Sequence, residues 1–264
     1  MPTPKSRRAS ANLSLFDLTG RVALITGAGR GLGAAMAHSL ASAGASLILW
    51  GRDNHALSRQ LNNLPKTCKA IAQHVDVTRP AQVNSALKKA LRCFGRIDVL
   101  INNAGIWGGD AALRLDRKTW NAVIETNLTA LFFVSQAVAP VMLKRRYGKI
   151  INIASTSGLM ALPESGVYGT VKAALFHLTR ILAVEWSPRG IRVCGIAPGV
   201  FRTDMTRDIF ADKPWAKKRQ EEIPLRRFGE PKDIAGLAVF LSSAASDHIT
   251  GQTIVIDGGA SLTT

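Results

Sequence analysis

The segment Arg21-Val-Ala-Leu-Ile-Thr-Gly-Ala-Gly-Arg-Gly-Leu-Gly33 decides how this chain of 264 residues folds. Its first half is an aliphatic run typical of a buried parallel strand. Its second half is a glycine-rich turn, and the small residues that follow favour a helix. Glycines let the backbone approach a phosphate closely, and a new helix presents unpaired N–H groups and a positive dipole end. The segment therefore predicts a strand, a turn and a helix that hold a pyrophosphate group.

Apolar strand-like runs recur along the rest of the chain and alternate with longer helical stretches. This alternation predicts an α/β fold, with a parallel sheet covered by helices on both faces. In such a sheet, ligands bind beyond the carboxyl ends of the strands. No repeat or low-complexity linker divides the chain, so we expect one domain. The predicted strands are 22–25, 47–50, 70–75, 97–101, 150–153, 191–196 and 253–256.

Tyr168 and Lys172, with Ser155 thirteen residues ahead of the tyrosine, form a candidate proton-transfer site. The tyrosine and the lysine are four residues apart and share a helix face. An unperturbed phenol has a pKa of about 10, and we expect the Lys172 ammonium to lower the pKa of Tyr168. Ser157 is the alternative serine, but its spacing to Tyr168 is less favourable. The pattern predicts proton donation to a carbonyl oxygen.

Further motifs follow in a fixed order along the chain. They are Thr26-Gly-Ala-Gly-Arg-Gly-Leu-Gly33, Asp76-Val77, Asn102-Asn-Ala-Gly105, Asn127, Ser155, Tyr168 with Lys172, Pro198-Gly199 and Asp257-Gly-Gly259. On these residues, the chain from about Leu15 to Leu262 resembles the short-chain dehydrogenase/reductase family. The resemblance implies a Rossmann-type, doubly wound parallel sheet of about seven strands with helices on both faces. Ala154 and the segment Gly169-Thr170-Val171 depart from the commonest family pattern, but neither removes a reacting group.

The resemblance also implies a reaction, in which a hydride moves between nicotinamide and a secondary alcohol or ketone. Ser155 would hydrogen-bond the substrate oxygen, Tyr168 would pass the proton, and Lys172 would hold the nicotinamide ribose. Asn127 matches the position whose backbone carbonyl holds a water that links Lys172 to solvent. The residues implied to bind the cofactor are Gly27, Arg30, Gly31, Leu32, Gly33, Arg52, Asp76, Val77, Asn103, Ala104, Gly105, Tyr168, Lys172, Pro198, Gly199, Val200 and Thr203.

The end of the second predicted strand bears on the type of cofactor. NAD-specific sites usually place an acidic residue there, against the adenosine ribose hydroxyls. Here the position is Gly51, and Arg52 follows it. Arg52 and Arg30 can clamp a 2′-phosphate with charge-assisted hydrogen bonds, so NADP(H) is predicted. Asp53 lies close enough to keep NAD(H) as the alternative.

The sequence is consistent with two hypotheses about the substrate. The loop 199–206 and the opening Leu15-Phe-Asp-Leu resemble gluconate 5-dehydrogenase-like members, which implies a small secondary alcohol such as a sugar acid or polyol. The alternative is a 3-oxoacyl-acyl-carrier-protein reductase, whose acidic partner would dock on Lys144, Arg145, Arg146 and Arg189 near the site. Residues 204–224 are the expected substrate lid. A third hypothesis is a non-catalytic regulator that binds the nicotinamide cofactor, but the intact Ser155, Tyr168 and Lys172 argue against it.

Composition limits the partners. The formal net charge is +16, but no dense basic run with interleaved aromatic residues occurs, so we expect no nucleic-acid partner. Residues 1–14 are predicted to be a disordered basic tail ahead of the catalytic domain at 15–264. The chain has no secretory core and no long uninterrupted apolar run, so no membrane contact is expected. Its three cysteines lack metal-like spacing and point to a reducing cytoplasm. The five histidines are scattered without a ligand pattern, so no metal site is expected. The resemblance implies a homotetramer, with a dimer as the alternative.

Overall fold

The computed structural model describes residues 13–263 of the chain. Within them lies a sheet of seven parallel strands in the order β3-β2-β1-β4-β5-β6-β7. The strands are β1 (Val22–Thr26), β2 (Ser46–Gly51), β3 (Ala70–His74), β4 (Val99–Asn102), β5 (Gly148–Ile153), β6 (Ile191–Pro198) and β7 (Thr253–Ile256). Each predicted strand appears, with its ends moved by at most two residues. The α/β, doubly wound fold is confirmed.

Helices connect the strands and cover both faces of the sheet. They are α1 (Gly31–Ser42), α2 (Asn54–Asn63), α3 (Pro80–Phe94), α4 (Arg117–Ile124), α5 (Ala130–Arg145), α6 (Gly166–Trp186), α7 (Arg207–Ala211), α8 (Lys213–Glu222) and α9 (Ala235–Ser242). A π-helical turn, Glu125–Thr129, joins α4 to α5. The helices α7 and α8 occupy the segment predicted to be a lid.

Two apolar layers flank the sheet, and alternate residues of the central strands divide between them. In β1, Ala23 and Ile25 belong to the layer that α1 and α9 cover, whereas Val22 and Leu24 belong to the layer under α3, α5 and α6. All five β1 residues are buried. A strand buried on both faces must be apolar throughout, which explains the continuous aliphatic run in the sequence.

The order of the strands reverses between β1 and β4, because β2 and β3 lie on one side of β1 and the later strands on the other. In a doubly wound sheet this reversal opens a crevice at the carboxyl ends of the strands. The glycine turn follows β1 directly, and Asn103 follows β4. The two segments predicted to bind the cofactor therefore meet at the reversal.

The amino edge of the sheet carries charged groups of its own. The buried Asp98 carboxylate accepts from Val22 N at 2.9 Å and from Arg96 Nε at 2.7 Å. Lys149 is also buried, and its ammonium contacts Asp247 Oδ1 at 2.8 Å. Burial lowers the pKa of Lys149, and the hydrogen bond to Asp247 partly offsets this effect. The contacts of Asp98 and Lys149 therefore stabilise the loops at the amino edge of the sheet.

The basic cluster expected near the site lies at this amino edge instead. Lys144 and Arg145 end α5, Arg146 follows them, and β5 begins at Gly148. Arg189 likewise precedes the first residue of β6. A six-residue strand spans about 20 Å, so β5 carries the chain from this cluster to Ser155 at the opposite edge. The expectation that these four residues lie near the site is therefore wrong.

Two stretches within residues 13–263, Arg117–Arg145 and Gly166–Arg189, are long and apolar enough to cross a membrane by length and composition. Both also supply residues to the apolar core, such as Val138 and Leu182. The core helices of globular proteins meet the same two criteria, so this observation is weak evidence for a membrane span.

Residues 1–12 and residue 264 lie outside the described residues. The predicted tail therefore falls almost wholly beyond the described structure, and the division at residues 14 and 15 stays a prediction. Leu13 is described and exposed, and a short 3-10 turn, Ser14–Phe16, follows it.

Candidate active site

The glycine turn after β1 fits a pyrophosphate group. Gly27 and Gly31 have φ angles of +65° and +55°, which residues with a side chain rarely adopt. A Cβ atom on Gly33 would collide with the carbonyl oxygen of Gly27 and lie 2.5 Å from Asn103 Nδ2. No side chain caps the first turn of α1, so its backbone N–H groups are available to an anion.

Asn103 braces this turn. Its Nδ2 donates to the carbonyl oxygens of Thr26 and Gly27, both at 3.0 Å. The backbone N–H groups of Asn103 and Ala104 both donate to Thr26 Oγ1, again at 3.0 Å. The side chain of Asn103 is therefore engaged with the protein and positions the turn. Contact with a cofactor in this segment would involve mainly the backbone around Ala104 and Gly105.

A second group of residues lies at the ends of β2 and β3. The Asp53 carboxylate caps α2 by accepting from Ala56 N at 3.0 Å. The Asp76 carboxylate accepts from the backbone and the hydroxyl of Thr78, at 3.0 and 2.8 Å. Burial raises the pKa of Asp76, but these hydrogen bonds and the charge of the nearby Arg52 outweigh it, so the pKa lies below its usual value. Arg52 is exposed and close to Asp76.

Three predicted catalytic side chains come together beyond β5. Ser155 is 9% exposed, and its hydroxyl donates to Ser157 Oγ at 3.3 Å. It is also close enough to Tyr168 to lower the pKa of the phenol. Lys172 lies one helical turn further along α6 and donates to the carbonyl oxygen of Ile153 at 2.7 Å. Its ammonium is 5.4 Å from the centre of the Tyr168 ring. Ser157 donates its backbone N–H to Ser155 Oγ at 3.2 Å, so it supports the first serine.

Burial dominates the electrostatics of this cluster. It raises the pKa of the Tyr168 phenol to about 12, although the hydrogen bond with Ser155 opposes the change. Burial also lowers the pKa of Lys172 to about 8. The expectation that Lys172 lowers the pKa of Tyr168 is therefore wrong for this structure. The ammonium bonds a backbone carbonyl instead, and desolvation weakens its own charge.

Asn127 lies next to the cluster, in the π-helical turn between α4 and α5. Its Oδ1 accepts from Ile106 N at 2.8 Å, and its Nδ2 donates to the carbonyl oxygen of Ile106 at 2.9 Å. The side chain is thus fully used in holding the loop after Gly105. A π turn frees backbone groups from the regular helical pattern and often marks a functional position.

The loop after β6 reaches the glycine turn. Gly199 N donates to the carbonyl oxygen of Ile256 at 3.0 Å, and a Cβ atom on Gly199 would lie 2.6 Å from Asp257 Cβ. Thr203 begins the turn that leads into α7 and bonds Thr206 there. Its Cβ atom lies 3.5 Å from the place that a Cβ atom of Gly31 would occupy. Thr203 therefore lies beside the N-terminus of α1.

Comparison with known proteins places this arrangement in a family. The model described as Enoyl-(Acyl carrier protein) reductase matches residues 27–261. Gluconate 5-dehydrogenase of Gluconobacter oxydans (strain 621H) is 39% identical over 249 residues, 94% of this chain and 97% of that protein. The 3-oxoacyl-[acyl-carrier-protein] reductase of Synechocystis sp. is also 39% identical, over 92% of this chain and 97% of its own length.

A solved structure agrees with these matches. The gluconate 5-dehydrogenase of Burkholderia cenocepacia J2315, in complex with NADP and tartrate, superposes with a TM-score of 0.91. It is 37% identical, and the alignment covers 96% of this chain and 100% of that chain. The chain belongs to the short-chain dehydrogenase/reductase family. It is an oxidoreductase, and the resemblance drawn from its motifs is confirmed.

In this short-chain dehydrogenase/reductase, one further aromatic residue lies beside Tyr168. The ring of Trp107 lies 4.8 Å from that of Tyr168, centre to centre. Sequence reasoning missed it, although an aromatic residue two positions after the Asn-Asn-Ala-Gly motif was a usable signal.

Some other side chains bear on the site's chemistry. Between Leu13 and Thr263, no three His, Cys, Asp or Glu side chains come together as a metal site. The three cysteines are free thiols.

Phe210 of α7 packs edge-on against Phe228 at 4.8 Å, and Arg202 lies over both rings. This aromatic pair anchors the predicted lid to the loop that follows α8.

Proposed function

We propose that this enzyme interconverts a secondary alcohol and a ketone of a small molecule, with NADP(H) as its cofactor. One observation carries the proposal: Ser155, Tyr168 and the buried Lys172 lie together at the same sheet edge as the uncapped glycine turn. A nicotinamide bound along that edge would supply or accept the hydride. The relatives named gluconate 5-dehydrogenase support a sugar acid or polyol as the substrate.

Each catalytic side chain then has a defined task. The Ser155 hydroxyl donates to the substrate oxygen, where negative charge develops during reduction. The Tyr168 phenol gives its proton to the same oxygen, or accepts it during oxidation. Lys172 holds the nicotinamide ribose. Asn127 keeps the loop before Trp107 in place through its two bonds to Ile106, and its backbone carbonyl would hold the water that links Lys172 to solvent.

The cofactor would lie along the carboxyl edge of the sheet. Gly27, Gly31, Leu32 and Gly33 would surround its pyrophosphate, and Asp76 with Val77 its adenine. Ala104, Gly105 and the segment Pro198–Val200 would line the nicotinamide half, and Thr203 would bind the carboxamide. Arg30 and Arg52 would hold the 2′-phosphate of NADP. The capping role of Asp53 supports this preference, because its carboxylate is committed to Ala56 N and to the helix end.

Reversing the charge of Arg52 should change the cofactor preference. We expect Arg52→Asp to lower kcat/KM for NADPH by about 100-fold, the effect of losing one strong charge-assisted hydrogen bond. The value for NADH should fall far less or rise. Arg92→Asp makes the same charge reversal at an exposed position at the end of α3 and should leave the NADPH to NADH ratio unchanged. Equal losses with both cofactors would contradict the assigned role of Arg52.

A reductase of 3-oxoacyl-acyl-carrier protein is the second candidate, because relatives with that name match almost the whole chain. The basic residues expected to bind the acyl-carrier protein are not near the site, however, because Lys144, Arg145 and Arg146 lie at the amino edge of the sheet. The test is NADPH oxidation, followed by absorbance, with free ketones and with a 3-oxoacyl thioester. Turnover of free ketones supports the first candidate, and turnover of the thioester alone supports the second. NADPH binding without any turnover would support a regulator.

We also propose that the enzyme assembles as a homotetramer, with a dimer as the alternative, and works in the cytoplasm. The free thiols suit a reducing compartment. Large apolar side chains stay exposed on the two long helices α5 and α6, including Phe133 at 53% and Val184 at 78%. Exposed apolar faces on neighbouring helices are typical of subunit contacts.

Light scattering should therefore give four times the chain mass of 28.3 kDa. Val184→Asp should lower that mass, because it would bury an unpaired charge between subunits. Leu113→Asp places the same carboxylate on a fully exposed loop residue and should leave the mass unchanged. A monomer at micromolar concentration in the unaltered protein would refute the proposal.

A further inference from the structure

Trp107 lies directly against the catalytic tyrosine and is still half exposed. Its ring centre is 4.8 Å from that of Tyr168, with a tilt of 57° between the planes. The residue keeps 48% of its surface accessible. Part of the indole therefore contacts the phenol ring, and the rest forms an open apolar surface beside the group that exchanges a proton with the substrate.

The loop around Trp107 is held in place on both sides. On one side, Asn127 bonds both the N–H and the carbonyl of Ile106. On the other, a Cβ atom on Gly108 would lie 2.6 Å from Val123 Cγ2, and one on Gly109 would collide with the carbonyl oxygen of Glu164. The backbone packs too closely at these two glycines for any side chain. The fold therefore fixes the backbone on both sides of Trp107.

The charges near this loop neutralise one another. Arg114 bonds Asp110 at 2.7 Å, and its Nη2 lies 3.8 Å from Glu164 Oε1. The one cation in this group thus faces two carboxylates. Because Arg114 is already paired with these carboxylates, it would not bind an anionic substrate group beside Trp107. An uncharged part of the substrate is therefore favoured at this position.

Other apolar side chains are exposed on segments that border the catalytic cluster. Leu159 and Leu162, which are 53% and 37% exposed, belong to the stretch that joins Ser155 to Tyr168. Met205 follows Thr203 by two residues and is 50% exposed. Apolar surface of this kind is stabilised when a ligand covers it.

We propose that Trp107 is a substrate-positioning residue, whose exposed indole surface stacks on the C–H-rich face of a ring-bearing ketone or alcohol, such as a cyclic polyol or a cyclic ketone. The proposal rests on the proposed function and narrows its substrate class. A ring presents a rigid apolar face to the indole, and stacking contacts of aromatic side chains contribute about 0.5–1.5 kcal/mol beyond simple burial. An open chain must lose conformational freedom to present the same contact.

The first test compares ring and open-chain substrates of equal carbon number. NADPH-dependent reduction is measured with cyclohexanone against 2-hexanone, and with cyclopentanone against 2-pentanone. We expect Trp107→Gln to raise KM for the ring ketones by about tenfold and KM for the open-chain ketones by less than about twofold. Trp107→Phe should restore most of the loss, since it keeps an aromatic face. Leu113→Gln, a similar change at a fully exposed residue of the same segment, should alter neither value.

The second test measures binding without turnover. Calorimetry with the NADP-loaded Tyr168→Phe protein should give a Kd for cyclohexanol that rises about tenfold when Trp107→Gln is added, and a Kd for 2-hexanol that rises by less than about twofold. The Kd for NADPH should not change. Equal losses for ring and open-chain ligands, or a fall in kcat alone, would overturn the proposal and leave Trp107 as a support for Tyr168. If the unaltered enzyme reduces no ketone, the proposed function fails, and this binding comparison still decides the role of Trp107.

Discussion

Replacing Tyr168 by phenylalanine is expected to lower kcat for ketone reduction by about 1,000-fold, within the range that positioned acid catalysts contribute. Phenylalanine keeps the ring that packs against Trp107 and removes only the phenol hydroxyl, whose pKa the nearby Ser155 side chain lowers. The Kd for NADPH should therefore stay close to that of the unaltered enzyme. Stopped-flow absorbance for turnover and fluorescence titration for binding would measure the two quantities.

The second tyrosine of the chain supplies the control. Tyr147 is the only other residue of its type, and its ring stacks on Arg21 at the amino edge of the sheet. Tyr147→Phe removes a hydroxyl far from Ser155 and should leave kcat unchanged. Similar losses in both variants would show that Tyr168 acts through stability rather than through its proton.

The raised pKa of Tyr168 gives the two directions of reaction different pH profiles. With a pKa of about 12, the phenol is protonated near neutral pH, and this is the form that reduction requires. Reduction should therefore stay level from about pH 6 to about pH 7, below the pKa of about 8 that burial gives Lys172. Oxidation needs the phenolate, whose population grows about tenfold per pH unit below the pKa of Tyr168. Oxidation by the unaltered enzyme should rise with pH, and Tyr168→Phe should lose that rise.

Sequence patterns predicted the parts of the structure that local chemistry determines. The glycines at 27, 31 and 33 were informative, because positive φ angles and close backbone contacts exclude other residues. The spacing of Tyr168 and Lys172 was informative, because one helical turn fixes their separation. The carboxyl edge of a parallel sheet then brings the ends of distant segments together, so the cluster with Ser155 could be predicted as well.

Other features depend on three-dimensional placement and could not be predicted in this way. Arg146 precedes Ser155 by nine residues, but β5 separates the two by the full length of a strand. The sequence places Lys172 beside Tyr168, but it does not show the Ile153 carbonyl that accepts a hydrogen bond from Lys172 or the burial that raises the phenol pKa. Trp107 reaches Tyr168 only because Asn127 and two tightly packed glycines fix the loop between them.

Adding a single methyl group at Gly33 should disable cofactor binding. A Cβ atom there would collide with the Gly27 carbonyl and lie 2.5 Å from Asn103 Nδ2. Neither neighbour can retreat freely, because Asn103 Nδ2 already bonds the carbonyls of Thr26 and Gly27. Overpacking of this kind lowers the free energy of unfolding by about 1–3 kcal/mol. Here the atoms that would be displaced belong to the glycine turn that is proposed to hold the pyrophosphate. We expect Gly33→Ala to raise the Kd for NADPH by about 10- to 100-fold and to lower Tm.

Gly236 in α9 is the matched control for this substitution. Nothing lies within 4 Å of the place that its Cβ atom would take, and helical glycine is about 1 kcal/mol less favourable than alanine. Gly236→Ala should therefore bind NADPH normally and melt at an equal or higher temperature. If Gly33→Ala instead bound NADPH as tightly as the unaltered enzyme, the glycine turn would not be the pyrophosphate site. A loss of Tm in Gly33→Ala with normal NADPH affinity would lead to the same conclusion, because the two measurements separate damage to the fold from damage to the phosphate contact.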